Sequence, residues 1–226
     1  MNWNKSEFYN FILNNNVIGF FNKPLKLSSG RLSYWYVNWR NVAEDVYLID
    51  CLSDFVIAFI NDLGLKPDCF FGVPEGATKL GIITQYKWAK NHNLQKGKFI
   101  LSMGRGKPKE HGAPKDRYFL GVPKGKIILI EDVTTTGNSL LESIDKIRKI
   151  NAQIIAAIGL TNRDEIRDDN KSVEQVIKEL GIDYYAMSDA LELLPLAIEK
   201  FQPSEEIIKQ IENYFKKYGI NQLKLK

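Results

Sequence analysis

The chain has 226 residues, of which 44% are hydrophobic and 26% charged, and its 31 lysines and arginines exceed its 27 aspartates and glutamates by four. This balance excludes a disordered tail, a collagen-like repeat and a disulfide-rich scaffold. The two cysteines, Cys51 and Cys69, lie in apolar stretches, which favours reduced thiols in a cytoplasmic protein over a disulfide or a metal pair. The N-terminus lacks a signal-peptide pattern, and no apolar run reaches the roughly 18 residues that would cross a bilayer.

Hydrophobic periodicity along the chain predicts strands that alternate with helices. In chain order, the predicted elements are a helix over residues 4–15, a strand over 34–37, a helix over 43–63, a strand over 68–73, a helix over 78–91, a strand over 99–103, a loop over 104–117, a short strand over 118–121, a strand over 126–130, a helix over 138–150, a strand over 153–160, a helix over 172–180, a strand over 182–187, and helices over 188–200 and 204–218.

The strands with continuous apolar runs, such as residues 127–130, indicate a sheet that is covered on both faces. Because strands and helices alternate, we expect an α/β fold whose twisted sheet is mostly parallel, with helices on both faces. The first 40 residues interrupt the alternation. We expect them to form a small hood over the sheet, within a single domain of residues 1–226.

The most informative segment is residues 127–139, in which a buried strand leads into Glu131 and Asp132, then into a hydroxyl-rich turn, and then into a helix. Ligands of open α/β sheets bind at the carboxyl ends of strands, where turn amides and a helix N-terminus form an anion site. Gly137 permits a positive φ close to a phosphate. Two acids beside a phosphate would repel it, so we expect them to face a diol or a developing positive charge. A plain turn with a capped helix and two solvated acids is the alternative.

Residues 104–117, the basic loop, hold five basic residues against two acidic ones and so carry most of the chain's excess positive charge. Such a segment is compatible with a solvated surface loop, a nucleic-acid contact or a lid over a charged leaving group. A nucleic-acid contact would require aromatic or helical elements beside the charges, and the basic loop has none.

Residues 127–139 resemble the signature of the type I phosphoribosyltransferases that binds 5-phosphoribosyl 1-diphosphate (PRPP). In that signature, four apolar residues, two acids and a threonine-rich loop closed by glycine follow one another. Glu131 stands where the pattern more often has Asp. The resemblance implies that Glu131 and Asp132 hold the ribose hydroxyls. It also implies a 5′-phosphate site made of Thr134, Thr135, Thr136, Gly137, Asn138 and Ser139.

Within that family, residues 105–112 resemble the mobile loop of orotate phosphoribosyltransferases, which has the pattern Arg-Lys-x-x-Lys-x-His-Gly. Gly106 replaces the Lys of the pattern, and Lys107 follows one residue later. The four matching residues are Arg105, Lys109, His111 and Gly112.

The family's mobile loop reaches into the active site of the partner subunit of a homodimer. The resemblance therefore implies a homodimer in which the basic loop acts on the other subunit. It implies that three residues are catalytic, namely Lys109, His111 and Asp132. The loop residues that would contact PRPP are Arg105, Lys107, Lys109 and His111.

Two further segments concern the base. Residues 27–38 resemble the family's orotate-binding stretch, Leu-x-Ser-Gly-x-x-Ser followed by aromatics, although a plain hairpin with core aromatics would look similar. Arg163 matches the orotate-contacting arginine of the family's Asp-Arg-x-Glu pattern, with Asn162 in place of Asp, and an arginine's planar fork suits a carboxylate. A surface arginine paired with a neighbouring acid is the alternative. The implied orotate site is Ser28, Tyr36, Thr135 and Arg163.

Residues 72–79 form a glycine-rich strand-to-helix turn that corresponds to the family's pyrophosphate loop. The resemblance implies that Gly76, Ala77 and Thr78 contact pyrophosphate. Glu75 is an unexpected acid at an anion site, and we expect it to point outward.

Together, the resemblances imply an enzyme that converts orotate and PRPP into orotidine 5′-monophosphate and pyrophosphate. They imply Mg²⁺ as a cofactor that is held mainly by PRPP, with no direct protein ligand, and neither a membrane nor a nucleic-acid partner. The alternatives are a type I phosphoribosyltransferase for another base and a PRPP-sensing regulator that binds nucleic acid. The regulator would need a helix-turn-helix extension, for which the first 24 residues are too short and too apolar.

Overall fold

The computed structural model describes residues 1–110 and 117–225. In chain order, the elements within these ranges are α1 (Lys5–Asn14), β1 (Ile18–Lys26), β2 (Leu32–Val37), α2 (Arg40–Glu44), α3 (Val46–Asp62), β3 (Cys69–Gly72), α4 (Thr78–Asn91), β4 (Met103–Gly104), β5 (Phe119–Leu120), β6 (Lys126–Thr134), α5 (Asn138–Arg148), β7 (Gln153–Asn162), α6 (Val173–Glu179), β8 (Asp183–Asp189), α7 (Ala190–Phe201) and α8 (Glu205–Tyr218).

The central sheet within these ranges has the strand order β3-β6-β7-β8, and every neighbouring pair is parallel. Alternate residues of β6 enter two different hydrophobic cores. Ile128 and Ile130 join the core on one face, whereas Ile127 and Leu129 join the core on the other. Successive side chains of a strand point to opposite faces, so both faces of the sheet are covered. The predicted α/β fold with a mostly parallel sheet is confirmed.

The first 40 residues pack on the carboxyl end of the sheet. They form α1 and the antiparallel pair β1–β2. Phe8 and Trp35 are buried in the same hydrophobic core as Ile130 of β6. The indole Nε1 of Trp39 donates a hydrogen bond to Oγ1 of Thr161, near the end of β7, over 3.1 Å. The hood is therefore attached directly above the strand ends where a ligand would bind.

Two sequence-based predictions of elements are wrong. The helix predicted over residues 43–63 is divided into α2 and α3, because the backbone of Asp45 is extended and its carboxylate caps α3 by accepting a hydrogen bond from the Leu48 amide. The strand predicted over residues 99–103 is reduced to β4, which pairs only with β5. Leu101 in that segment is exposed, so the apolar run lacks the two-sided burial of a central strand.

The strands of the sheet continue further than the apolar runs do. The ladder between β6 and β7 extends to the pair Thr134–Asn162. Glu131 and Asp132 therefore belong to β6 rather than to the turn that follows it. Strand β1 has no counterpart among the sequence-based predictions, because it is largely half-buried or exposed and its pairing with β2 shifts register after Phe20.

Both cysteines are free thiols, but only Cys69 is buried, since Cys51 is half-buried. Burial raises the pKa of the Cys69 thiol to about 12, which keeps it protonated. Among the helices of the described ranges, none combines the length and the apolar character needed to cross a membrane.

Candidate active site

A cavity of about 260 Å³ lies at the carboxyl ends of β3, β6 and β7, beneath the hood. Its wall combines residues from the hood, the pyrophosphate loop and the segment that follows β6. It also includes Arg163, the first residue after β7. Eight of the predicted site residues line it, namely Ser28, Tyr36, Gly76, Glu131, Asp132, Thr135, Ser139 and Arg163.

The other predicted residues that the structure describes do not belong to the wall of this cavity. Ala77 is buried immediately before α4, and Thr78 is the first residue of that helix. Thr78, Arg105 and Lys107 border a separate surface depression that also includes Glu75. Lys109 is exposed. His111 and Gly112 lie outside the described residues.

The two adjacent acids of β6 differ in environment. Glu131 is only 5% exposed, and its burial together with the nearby charge of Asp132 raises the pKa of Glu131 well above its usual range. Burial therefore makes the charged form of Glu131 less favourable than in an exposed glutamate. Asp132 is half-buried and lies against the pyrophosphate loop. A β-carbon at position 76 would approach Oδ2 of Asp132 to 2.3 Å, so the absence of a side chain at Gly76 provides the space for this carboxylate.

The segment after β6, residues 135–137, forms the phosphate turn and leads into α5. Gly137 has a φ of +70° at the N-cap position, a conformation that favours glycine. The first amides of α5 have no partner within the helix and so can bind an anion. Arg167 donates hydrogen bonds to the carbonyl oxygen of Thr136 and, over 3.3 Å, to Oδ1 of Asn138. Arg167 thus ties the turn to the start of α5, which no motif in the sequence indicated.

Thr134 lies beneath the phosphate turn. It is fully buried, and its hydroxyl shares a 2.5 Å hydrogen bond with the hydroxyl of Tyr184 on β8. Oγ1 of Thr134 also donates to Oδ1 of Asn162 over 3.4 Å. Burial raises the pKa of Tyr184, so this tyrosine stays neutral. The Thr134 hydroxyl therefore anchors the end of β6 to the neighbouring strands.

Arg163 is almost completely buried, at 1% exposure, and is held on three sides. Its Nε donates to Oε1 of Glu165 over 2.7 Å, and its Nη2 donates to Oγ of Ser33 over 3.1 Å. The guanidinium lies 3.7 Å from the ring centroid of Trp35, in the hood. Nη1 has no hydrogen-bond partner within the described part of the chain. Arg163 is thus a fixed cation that lines the cavity, and one of its donors, Nη1, has no partner among the described residues.

The base of the basic loop rests on the pyrophosphate loop. The Arg105 amide donates to the Tyr118 carbonyl, and the Lys109 amide donates to the Arg117 carbonyl, each over 2.8 Å, so that the two legs of the basic loop are paired. A β-carbon at Gly106 would lie 2.6 Å from Oε1 of Glu75. Glu75 is exposed but also lines the cavity, and its carboxylate lies where a side chain at position 106 would begin.

The chain was compared with known proteins by sequence and by structure. No protein-family profile matches the chain. An orotate phosphoribosyltransferase of Rhodopseudomonas palustris (strain TIE-1) is 32% identical over 148 residues, which is 62% of this chain and 74% of that relative. An orotate phosphoribosyltransferase of Mannheimia succiniciproducens is 27% identical over 220 residues, which is 96% of this chain and 98% of that relative.

The fold gives the same answer as the sequence comparison. The crystal structure of the orotate phosphoribosyltransferase of Francisella tularensis matches with a TM-score of 0.69 at 25% identity. The match covers 94% of this chain and 99% of that one. Similar sequence and similar architecture over nearly the whole length show that the chain belongs to the orotate phosphoribosyltransferases, which are type I phosphoribosyltransferases.

Proposed function

We propose that this protein transfers the 5-phosphoribosyl group of PRPP to orotate, giving orotidine 5′-monophosphate and pyrophosphate in pyrimidine biosynthesis. One observation carries the proposal. A single cavity brings together the paired acids of β6, the pyrophosphate loop and a buried arginine that suits an anionic base. Membership of the orotate phosphoribosyltransferase family supports the same reaction.

The proposed position of PRPP follows from the order of these features. The phosphate turn and the first amides of α5 would bind the 5′-phosphate, and Arg167 would hold the turn in shape. Glu131 and Asp132 would then face the ribose. Because Asp132 lies against Gly76, the diphosphate would extend from the ribose toward the pyrophosphate loop. This order leaves C1 of the ribose facing the hood and Arg163.

Displacement of pyrophosphate from C1 creates positive charge on the ribose and negative charge on the leaving group. Such a reaction depends on positioning and on electrostatic stabilisation more than on covalent chemistry by the protein. The carboxylate of Asp132 would stabilise the positive ribose. The buried carboxyl of Glu131 would accept hydrogen bonds from the ribose hydroxyls. Closure of the basic loop would exclude water from the reacting centre.

Mg²⁺ is the cofactor that the proposal requires, with its ligands supplied mainly by the diphosphate and ribose oxygens of PRPP. The cavity wall fits such an ion, because the half-buried carboxylate of Asp132 offers a hard oxygen donor of the kind that Mg²⁺ prefers. In residues 1–110 and 117–225, no group of three or more His, Cys, Asp or Glu side chains is arranged to hold a metal. When bound, Mg²⁺ neutralises charge on the departing diphosphate.

Orotate would bind between the hood and Arg163. Arg163 would contact the carboxylate of orotate, while Ser28, Tyr36 and Thr135 line the same cavity and would bound the ring. The attachment of the hood to β7 through Trp39 and Thr161 supports this placement, because it fixes the distance between the two walls. The hood within residues 1–40 is thus proposed as one half of the base-binding site.

The basic loop is proposed to act on the active site of a partner subunit in a cytoplasmic homodimer. Lys107 and Lys109 are exposed and therefore accessible to a neighbouring copy. Together with Arg105 and with His111, which lies outside the described residues, they would neutralise the charge that develops on pyrophosphate. Two free thiols accord with a reducing compartment.

The direct test is to follow the ultraviolet absorbance of orotate when the purified protein is mixed with PRPP and Mg²⁺. We expect the absorbance to fall and orotidine 5′-monophosphate to accumulate in equal amount, as measured by chromatography. The same assay with uracil, adenine, hypoxanthine and guanine provides the control. Consumption of one of these bases in place of orotate would assign the protein to another base, and no consumption of any base would overturn the proposal.

A further inference from the structure

Glu165 binds two arginines that are far apart in the chain. Its Oε2 accepts a hydrogen bond from Nη1 of Arg31 over 2.8 Å, and its Oε1 accepts one from Nε of Arg163 over 2.7 Å. All three side chains are buried, with 8% or less of each exposed. Each carboxylate oxygen thus holds a different arginine.

The buried charges of this group do not balance. Two guanidinium groups share one carboxylate, which leaves an excess of one positive charge. Asp168 also accepts from Nη2 of Arg31, over 3.3 Å, but its side chain is fully exposed, so solvent screens its charge. The ring centroid of Tyr214 lies 5.7 Å from the Arg163 guanidinium, and burial raises the pKa of Tyr214, so its hydroxyl adds no negative charge. A buried charge without a counter-ion is costly, which favours a ligand that supplies the missing anion.

Arg31 also controls how Glu165 can bind Arg163. A carboxylate often binds an arginine through two parallel hydrogen bonds, one to each carboxylate oxygen. Here Arg31 occupies Oε2, so Arg163 is held through Nε alone. Its Nη2 donates to Ser33, and its Nη1 remains without a partner among the described residues. Arg163, which lines the cavity, therefore keeps its charge and a buried donor without a partner among the described residues.

Arg31 itself is held rigidly by the C-terminal part of the chain. Its Nη2 donates to the carbonyl of Ile166 over 2.7 Å, and its guanidinium lies 4.5 Å from the ring centroid of Tyr218. The Ile166 amide in turn donates to the Tyr218 carbonyl over 2.7 Å. The end of α8 thus fixes the arginine that shares Glu165 with Arg163.

We propose that Arg31 and Glu165 are positioning residues that give the base site its selectivity for a carboxylate. Glu165 orients Arg163 through Nε, while Arg31 prevents Glu165 from neutralising it. The ligand class is a planar base that carries a carboxylate, as opposed to the same ring without a charge. This inference rests on the proposed function, because it takes orotate as the base.

The test compares three substitutions of Arg31 in the full-length protein. In Arg31→Met, Glu165 is free to take Arg163 through two hydrogen bonds, so we expect the KM for orotate to rise about tenfold or more. The kcat and the KM for PRPP should not change. Arg31→Gln retains a donor for Glu165 but removes the charge, and should raise the KM for orotate as well. Arg31→Lys retains the charge and should preserve most of the affinity.

Charge selectivity is measured with a matched pair of ligands. The two ligands are orotate and its uncharged methyl ester. Binding of orotate is measured by its KM, and binding of the ester is measured by its inhibition constant in competition with orotate. We expect Arg31→Met and Arg31→Gln to weaken orotate binding and to leave the inhibition constant of the ester unchanged. Arg148→Met is the control variant, because Arg148 also donates to a backbone carbonyl, that of Leu180, but on the exposed surface.

The outcomes separate this inference from the proposed function. The first outcome is that the wild type consumes orotate and that Arg31→Met and Arg31→Gln have the same KM for orotate as the wild type. In that case the inference is wrong, and the proposed function is retained. An equal loss for orotate, ester and PRPP would indicate a purely structural role and would also overturn the inference. Thermal unfolding identifies any variant that does not fold. If Arg31→Met does not fold, the inference is tested by the KM for orotate of Arg31→Gln compared with that of Arg31→Lys. A wild type that consumes no orotate would overturn the proposed function itself.

Discussion

Gly76, in the loop after β3, lies against Asp132 of the neighbouring strand β6, and a β-carbon at position 76 would lie 2.3 Å from Oδ2 of Asp132. Gly76→Ala should therefore displace this carboxylate while leaving the backbone of the pyrophosphate loop intact. We expect kcat/KM for PRPP to fall by about tenfold to a hundredfold, because the ribose loses a positioned partner. Steady-state kinetics with varied PRPP measures the effect.

Gly19→Ala is the control for that substitution, because a β-carbon at position 19 would make only ordinary contacts, 3.9 Å from the ring of Phe21. This variant should keep the kinetic constants of the wild type. If Gly76→Ala also keeps them at an unchanged melting temperature, the contact between Gly76 and Asp132 has no role in binding PRPP.

The assignment of the basic loop to a partner subunit predicts complementation between two inactive variants. Lys109→Ala removes a cation of the loop, and Asp132→Asn removes the acid of the ribose site, so each variant alone should lose most of its turnover. Co-expression of both chains with different affinity tags gives mixed dimers. A mixed dimer restores one intact site if the loop acts in trans, so randomly paired chains should recover about a quarter of wild-type activity.

Doubly tagged dimers isolated from that co-expression provide the decisive sample. If the loop acted within its own subunit, every site in a mixed dimer would carry one defect, and the sample would stay as inactive as its parents. A chain that elutes as a monomer in gel filtration would contradict the proposed homodimer directly.

The hydrogen bond between Tyr184 and Thr134 predicts a modest effect on stability and on PRPP binding. Tyr184→Phe removes a hydroxyl that holds the end of β6 from below, so the free energy of unfolding should fall by about 1 kcal/mol. The KM for PRPP should rise, because the phosphate turn begins directly after Thr134. Chemical denaturation and kinetics measure the two effects. Tyr185→Phe, on the adjacent half-buried residue of the same strand, is the control and should change neither.

Asp164 predicts a pH dependence of stability. Its burial, together with the nearby carboxylates of Asp189 and Glu192, raises its pKa from 3.8 to about 7. The folded protein then binds this proton more tightly than the unfolded chain, so the contribution is fully present below pH 4 and is lost as the pH rises through 7. Asp164→Asn should remove this dependence, on the order of 2–4 kcal/mol between pH 4 and pH 8.

Thermal unfolding at pH 5 and pH 8 measures this contribution. The wild type should lose more stability between the two pH values than Asp164→Asn does. Asp183→Asn, an exposed residue at the start of β8, is the control and should follow the wild type. Parallel behaviour of wild type and Asp164→Asn would show that the carboxyl of Asp164 titrates alike in the folded and unfolded states.

Much of the fold could be predicted from the sequence, because the central strands are buried on both faces and so appear as continuous apolar runs. The run at Ile127–Ile130 is an example. The prediction failed where burial is one-sided or partial. Strand β1 is mostly half-buried or exposed, and the run at residues 99–103 has Leu101 at the surface. The break at Asp45 was missed because a capping residue inside an apolar pattern resembles any other polar position of a helix.

Some residues of the candidate site could also be predicted from the sequence, and others could not. The acids and the phosphate turn are consecutive in the chain, so their order alone places them at the end of one strand. Arg167, which holds the phosphate turn, and Tyr184, which supports Thr134, belong to no local pattern. Only the fold brings these partners together.

By itself, the sequence determined the sheet, the turn that follows β6 and the presence of Arg163 at a strand end, since each depends on neighbours in the chain. Only the tertiary structure decided that Arg163 shares Glu165 with Arg31 and faces Trp35 of the hood. The physical reason is that Arg31 and Glu165 lie 134 residues apart in the chain, and that separation carries no information about their distance in space. Folding brings Arg31 to Glu165, and the two arginines that share this carboxylate leave an unbalanced positive charge beside the cavity.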